Sequence, residues 1–274
     1  MMMKQKTDSG LSIAVGFVMI LMIIGIVIGM WAVVGVPEQI KDAENYHSIE
    51  VANSFLDYKI AVDNQRDPRW VGSKFSMLIP AASAYADGAL FMKKNVGNLN
   101  VSIDNAEKNS SKISRLYATF GTTNTLVGYE GGGVFRNDYG YATWVTPPSI
   151  TLASDGSNMF YLTLILPNMN GSFEVGSSEG IPVETGLNST KNTIYPPTNK
   201  PVKISYNASE KWDVNLWSAF FNETAIRYEL VSNNISTSTM FSPTTTSLTI
   251  TPLGNAYINL IVIVSEYIID VRRY

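Results

Sequence analysis

The chain has 274 residues, 45% of them apolar, with a net charge of −3 and an isoelectric point near 5.3. That balance supplies no basic field to displace counterions from a phosphate backbone, which excludes electrostatically driven nucleic-acid binding. Cysteine is absent, and with it go disulfides, thiolate metal sites and cysteine catalysis; an exported chain without bridges points to a prokaryotic surface and to a core large enough to fold unstapled.

Residues 1–10 form a short leader in which Lys4 and Lys6 outweigh Asp8. Between residues 11 and 36 the only polar side chain is Ser12. As a helix this stretch is roughly 39 Å long, against ~30 Å for the hydrocarbon layer, so a transmembrane helix at 11–36 is expected. It exceeds the apolar stretch of about 7 to 15 residues in a secretory signal, and residues 31–37 hold no small-x-small cleavage site. The basic start keeps the N-terminus cytoplasmic and sends the body across, giving a single-pass topology. Gly25 and Gly29 form a G-x-x-x-G, the pattern that lets two helix backbones pack closely in lipid.

Residues 37–67 are rich in helix formers, and Ile40, Ala43, Tyr46, Val51, Phe55, Tyr58 and Val62 recur mostly in steps of three and four. This predicts an amphipathic helical extension, with Pro37 bending the helix or starting its second half and Pro68 stopping it.

From residue 68 to 274 short apolar runs are broken by Gly, Asn, Ser and Pro, the texture of strands and turns. Candidate strands fall at 75–79, 89–92, 99–103, 125–129, 134–135, 141–145, 159–166 and 202–206. Their spacing predicts a sandwich-like extracellular domain, so the fold class is α+β: a long N-terminal helix followed by a β-rich domain. Residues 209–230 read as an amphipathic helix capped by Ser209, with Trp212, Leu216, Trp217, Phe220, Phe221 and Ile226 on its apolar face and both tryptophans in the core. Residues 256–271 have an apolar centre at 260–264 but are too short and too charged for a second span, and are expected to form a long central strand.

Chemistry is sparse. The single histidine, His47, falls on the helical extension, where packing or solvation is its expected role. No metal-binding or nucleophile motif occurs. Gly131, Gly132 and Gly133 lack the Lys-Ser/Thr of a phosphate cradle and read as a hairpin or bulge. Asp155, Glu174, Glu179 and Glu184 sit in or beside Gly/Ser-rich stretches and are expected as solvated loop acids rather than Ca²⁺ ligands. No enzymatic activity and no cofactor are expected. Seven N-x-S/T sequons stand at Asn100, Asn109, Asn170, Asn188, Asn207, Asn222 and Asn234, all beyond the membrane. About four would arise by chance in so Asn-, Ser- and Thr-rich a body, so their one-sidedness fits an exported, glycosylated face without establishing it.

A basic leader, Gly10 directly before an apolar helix, and an amphipathic continuation of that helix resemble the class III leader and N-terminal helix of type IV pilins and archaellins. The stretch Ser9-Gly-Leu-Ser-Ile-Ala-Val-Gly-Phe-Val18, followed by Gly35-Val-Pro37, is similar to archaeal pilin-like exported proteins, as is Tyr129-Glu-Gly-Gly-Gly-Val-Phe-Arg136 with Pro147-Pro148. The resemblance implies an archaeal envelope protein processed between Gly10 and Leu11 by a prepilin-type peptidase, self-associating through residues 11–64, and possessing no catalysis. Two positions depart from the pattern. Thr7, Asp8 and Ser9 separate Lys6 from Gly10, and Val15 stands where bacterial pilins carry an acid at the fifth mature position. The expected function is a pilin-like structural subunit with a role in adhesion. The alternative is a monomeric anchored module that binds a glycan, a surface-layer protein or a solute, with the helix as a tether.

Overall fold

The computed structural model describes residues 6–81, 88–156, 158–177, 180–231 and 233–271. Helix α1, Lys6–Met30, and helix α2, Val36–Gln65, form one uninterrupted rod joined by a π-helical turn at Trp31–Gly35. At ~1.5 Å per residue the rod is about 90 Å long. The π turn sits next to Pro37. A proline lacks the N–H of a regular turn and its ring presses on the carbonyl four residues back, here that of Val33, so a widened turn takes up the misfit. Val36 N–H bonds to the Trp31 carbonyl, closing that wider ring. The proline expected to bend or restart the helix is thus absorbed within it.

Among the described residues the body holds β1 Lys74–Ile79, β2 Gly88–Ile103, β3 Ala106–Phe120, β4 Thr125–Glu130, β5 Gly133–Asp138, β6 Tyr141–Thr146, β7 Ile150–Ser154, β8 Met159–Asn170, β9 Phe173–Ser177, β10 Ile181–Ile194, β11 Val202–Ala208, helix α3 Lys211–Val231, β12 Ile235–Ser242, β13 Thr245–Pro252 and β14 Tyr257–Val271. One sheet has the order β1-β10-β14-β8-β7; the other runs β12-β13-β11-β2-β3-β4-β5-β6, with β9 also paired to β2. The expected long C-terminal strand is β14, the middle of the five-stranded sheet, antiparallel to β10 and parallel to β8. A parallel pair requires a long crossover. Here the crossover is everything between β8 and β14, so the last strand closes the domain.

The two sheets face each other over two apolar clusters, each completed by a helix. In one, Val214, Trp217, Phe220 and Phe221 of α3 meet β2, β11 and β13 on one side and β8 and β14 on the other. In the second, Val51, Phe55, Tyr58 and Val62 of α2 meet β2, β3 and β4 on one side and β1, β10 and β14 on the other. The buried stripe of α2 differs at its start from the expected one. Tyr46 points outward, and Glu44 and Ser48 take the buried positions. On α3, Ile226 is likewise exposed. The N–H groups of Asp213 and Val214 both bond to the Glu210 carbonyl, so Glu210 rather than Ser209 begins the helix.

All eight expected strand segments are strands. The segments expected at 89–92 and 99–103 are the two ends of β2, split in pattern by a register shift between Lys93 and Gly97. β3, β7, β9, β10, β12 and β13 are further strands that the short apolar runs do not mark. Gly131 and Gly132, at φ +55° and +92°, form the β4–β5 hairpin turn that their sequence implied.

Phe55 is fully buried and Ile60, on the same helix, is 57% exposed. Phe55→Ala is expected to destabilise the body by about 3–5 kcal/mol, from lost transfer energy plus the cavity left behind. Ile60→Ala should change it by less than about 0.5 kcal/mol. Urea unfolding of the full chain in detergent, followed by tryptophan fluorescence, checks both.

Candidate functional site

The largest unsatisfied surface is α1. From Val15 to Val34, along α1 and the π-helical turn, the large apolar side chains are 47% to 75% exposed, and the helix is long and apolar enough to cross a membrane. Gly10 and Leu11, the residues of the expected processing site, lie in this helix. Gly25 and Gly29 lie four residues apart and so share one face, and nothing approaches within 4 Å of where a Cβ would stand on either. A second helix would meet a shallow, unobstructed groove there.

The same rod is fixed into the body by polar contacts at both ends of α2. Near its start the buried Glu44 carboxylate accepts the backbone N–H groups of Thr122 and Thr123, at 3.2 and 2.6 Å, in the β3–β4 turn. One turn on, Ser48 Oγ accepts from Arg136 Nη1 at 2.8 Å. Near its end the Tyr267 hydroxyl donates to the Val62 carbonyl at 2.9 Å, one of the last-turn carbonyls that a helix cannot satisfy itself. Thr190 Oγ1 donates to the Arg66 carbonyl just beyond. Tyr58 and Thr185 share a buried hydroxyl contact at 2.8 Å between these ends. His47 packs edge-on to Phe120 at 5.9 Å, with Nδ1 3.2 Å from Glu50.

At the far end of the body lies a buried charge cluster with no counterpart in the sequence reading. Arg115 on β3 reaches Glu130 at the end of β4 through Nε at 2.6 Å, and Asp213 on α3 through Nη2. Glu130 also accepts from Tyr206 Oη at 3.1 Å and Trp217 Nε1 at 2.9 Å. Its oxygens therefore receive three donors, the geometry of an acceptor-only carboxylate. The half-buried Trp212 lies over the guanidinium, whose carbon is 4.3 Å from the ring centroid. Two carboxyls thus share one cation in a space closed to water. Burial first, and the neighbouring Glu130 second, push the Asp213 carboxyl well above its ordinary range, against the pull of Arg115. Burial also opposes the Arg115 charge, but Glu130 and Asp213 outweigh it and hold the guanidinium protonated. The two carboxyls therefore compete for the one guanidinium. At its rim Glu210 meets Lys93 at 3.0 Å and Arg115 at 3.4 Å.

The remaining candidate residues are dispersed. Glu184 and Glu174 lie in strands β10 and β9 rather than in loops, and Glu184 pairs with Lys74 at 2.7 Å. Asp155 follows β7, and Glu179 lies outside the described residues. Among the described residues no three His, Asp or Glu side chains converge on a metal position. Every sequon asparagine reaches the surface: Asn170, Asn188, Asn222 and Asn234 are exposed, and Asn100, Asn109 and Asn207 are half-buried.

The architecture defines a two-sheet β-domain carried on a single long, apolar N-terminal helix. The chain belongs to a family of unknown function, DUF7289, which matches residues 82–250. That match takes in Arg115, Glu130 and Asp213 and begins beyond the helix. No curated protein and no solved structure matches the chain.

The cluster has a measurable pH signature. Above the ordinary aspartate value of 3.8 the unfolded chain has released a proton that folded Asp213 retains, so stability falls as pH rises until the folded carboxyl ionises. Asp213→Asn mimics the protonated acid; it should remove this part of the slope and be at least as stable as the parent at neutral pH. Glu130→Gln removes the carboxylate that Arg115 Nε meets at 2.6 Å and should cost about 3–5 kcal/mol. Urea unfolding between about pH 4 and pH 8 distinguishes the two, and equal losses in both variants would show Asp213 to be ionised.

Proposed function

We propose that the chain is a pilin-like cell-surface structural protein, held in the membrane or assembled into a filament through its N-terminal helix, with the β-domain outside as an adhesive, glycosylated head. The observation that carries this reading is continuity. One helix is solvent-exposed and apolar over α1 and buries one face between the two sheets over α2, with helical backbone unbroken between the halves. A tether for a binding module needs only a span and a linker. A subunit that stacks through its helix needs its head held in a constant relation to that helix, which is what the contacts of Glu44, Ser48 and Val62 supply.

Gly25 and Gly29 offer the close-packing face, and the resemblance around Gly10 supports removal of residues 1–10 by a prepilin-type peptidase, leaving Leu11 as the first residue. Lys4 and Lys6 orient the span with the head outward.

Mass spectrometry of the protein in the sheared surface fraction is expected to give a mature N-terminus at Leu11. Gly25→Leu and Gly29→Leu should each keep the protein in the membrane yet remove it from that fraction, because a bulky side chain holds the helices apart. A chain that retains residues 1–10 and extracts as a detergent-soluble monomer would replace this reading with that of an anchored binding module.

A further inference from the structure

Where β3 crosses β8, two adjoining cavities of about 340 and 410 Å³ share Lys112, Asn168 and Glu266 and run together as one open trough between the sheets. Each sheet contributes an irregularity at its wall. The register shift in β2 between Lys93 and Gly97 turns Lys94 and Asn95 into it, with Asn95 at φ +56°. The shift in β10 between Leu187 and Ser189 leaves Asn188 unpaired on the opposite side. Bulges re-aim side chains at a cost in ladder hydrogen bonds.

Three ammonium groups, those of Lys94, Lys112 and Lys191, are exposed along the trough, and none has a carboxylate partner among the described residues. This is a local excess of positive charge on a chain whose net charge is −3. The one carboxylate, Glu266, accepts from Ser189 Oγ at 2.9 Å. Between the charges Asn168, Asn170, Ser110 and Ser111 contribute amides and hydroxyls, and Met169, Val264 and Ile268 contribute apolar wall. The Tyr267 ring below is buried, its hydroxyl already committed to Val62.

We propose that this trough binds an acidic oligosaccharide. Two cavities end to end exceed what a single small anion fills, spaced ammonium groups suit carboxylates or sulfates repeated along a chain, and side-chain amides exchange hydrogen bonds with sugar hydroxyls in either direction. Asn109, Asn170 and Asn188, three of the sequon residues, line the same trough. The saccharide is therefore either the chain's own N-linked glycan or a separate polymer; both present the same chemistry to the lysines. The inference does not depend on whether the helix assembles, and its failure leaves the filament reading untouched.

The test is calorimetric titration of the full chain in detergent, produced without glycans, with tetragalacturonate and with neutral maltotetraose. Tetragalacturonate should bind at least about tenfold more tightly at low salt, and this preference should shrink as salt screens the charges. Each lysine changed to glutamine should weaken acidic binding about three- to fivefold, the scale of one exposed ion pair, and the variant K94Q/K112Q/K191Q by on the order of thirty- to a hundredfold. Lys200→Gln, outside the trough, should leave it unchanged, and unaltered urea unfolding of the triple variant shows that the fold is kept. Equal affinity for the two sugars, no binding of either, or undiminished binding by the triple variant overturns the proposal. Glycosylated protein then separates the two sources. If it fails to bind the probe and N109Q/N170Q/N188Q regains binding, the trough holds the chain's own glycan; if it binds equally well, the occupant is a separate saccharide.

Discussion

Helix α2 occupies the space between the two sheets, and the arrangement of one end of the molecule depends on that burial. Val51, Phe55, Tyr58 and Val62 supply the apolar filling that β1, β10 and β14 need on one side and β3 and β4 on the other. Without the helix the apolar side chains it covers on those strands would meet water. The head is therefore packed against one face of its own stalk, and the orientation of α1 is set by the packing of α2.

Polar contacts give that packing its register. An apolar stripe alone allows a helix to slide or rotate by part of a turn. The Glu44 carboxylate on two backbone N–H groups and the Tyr267 hydroxyl on the Val62 carbonyl do not, because each leaves a buried group unsatisfied if the helix shifts. The cluster of Arg115, Glu130 and Asp213 plays the same part for α3. Desolvation offsets much of the attraction in such a buried pair, but a shift of α3 would leave the Arg115 guanidinium and its carboxylates buried without their partners. Gly131 belongs to this arrangement as well: a Cβ there would stand 2.8 Å from the Trp217 ring. Turn geometry and close approach thus both demand glycine.

What was legible in the sequence was whatever produces a local pattern. The apolar run of α1, the amphipathic period of α2 and α3, and the strand β14 with its unbroken centre are all visible at short range. Strands β3 and β10 were not, because they are rich in Ser, Asn, Lys and Thr and each has one exposed, polar end. Their buried residues, such as Leu116 and Ala118, or Val183 and Leu187, alternate with polar ones in runs too short to stand out. Asp104-Asn105, both at positive φ, is a hairpin turn signal that would have exposed β3. Tyr46 and Ile226 were placed on buried faces because period alone does not say which side of a stripe a partner covers.

The sequence by itself determined that an apolar helix leads, that it continues into an amphipathic one, and that a β-rich body follows. These are properties of neighbours along the chain, where helix and strand periods act. Only the tertiary structure decided that Arg115, Glu130 and Asp213 meet although they stand 15 and 98 positions apart, and that three lysines from β2, β3 and β10 line one trough. Such juxtapositions come from the order of strands in the sheets and from the crossover that brings β14 beside β8. Neither leaves a trace in local composition, because a strand's partner is chosen by the whole chain.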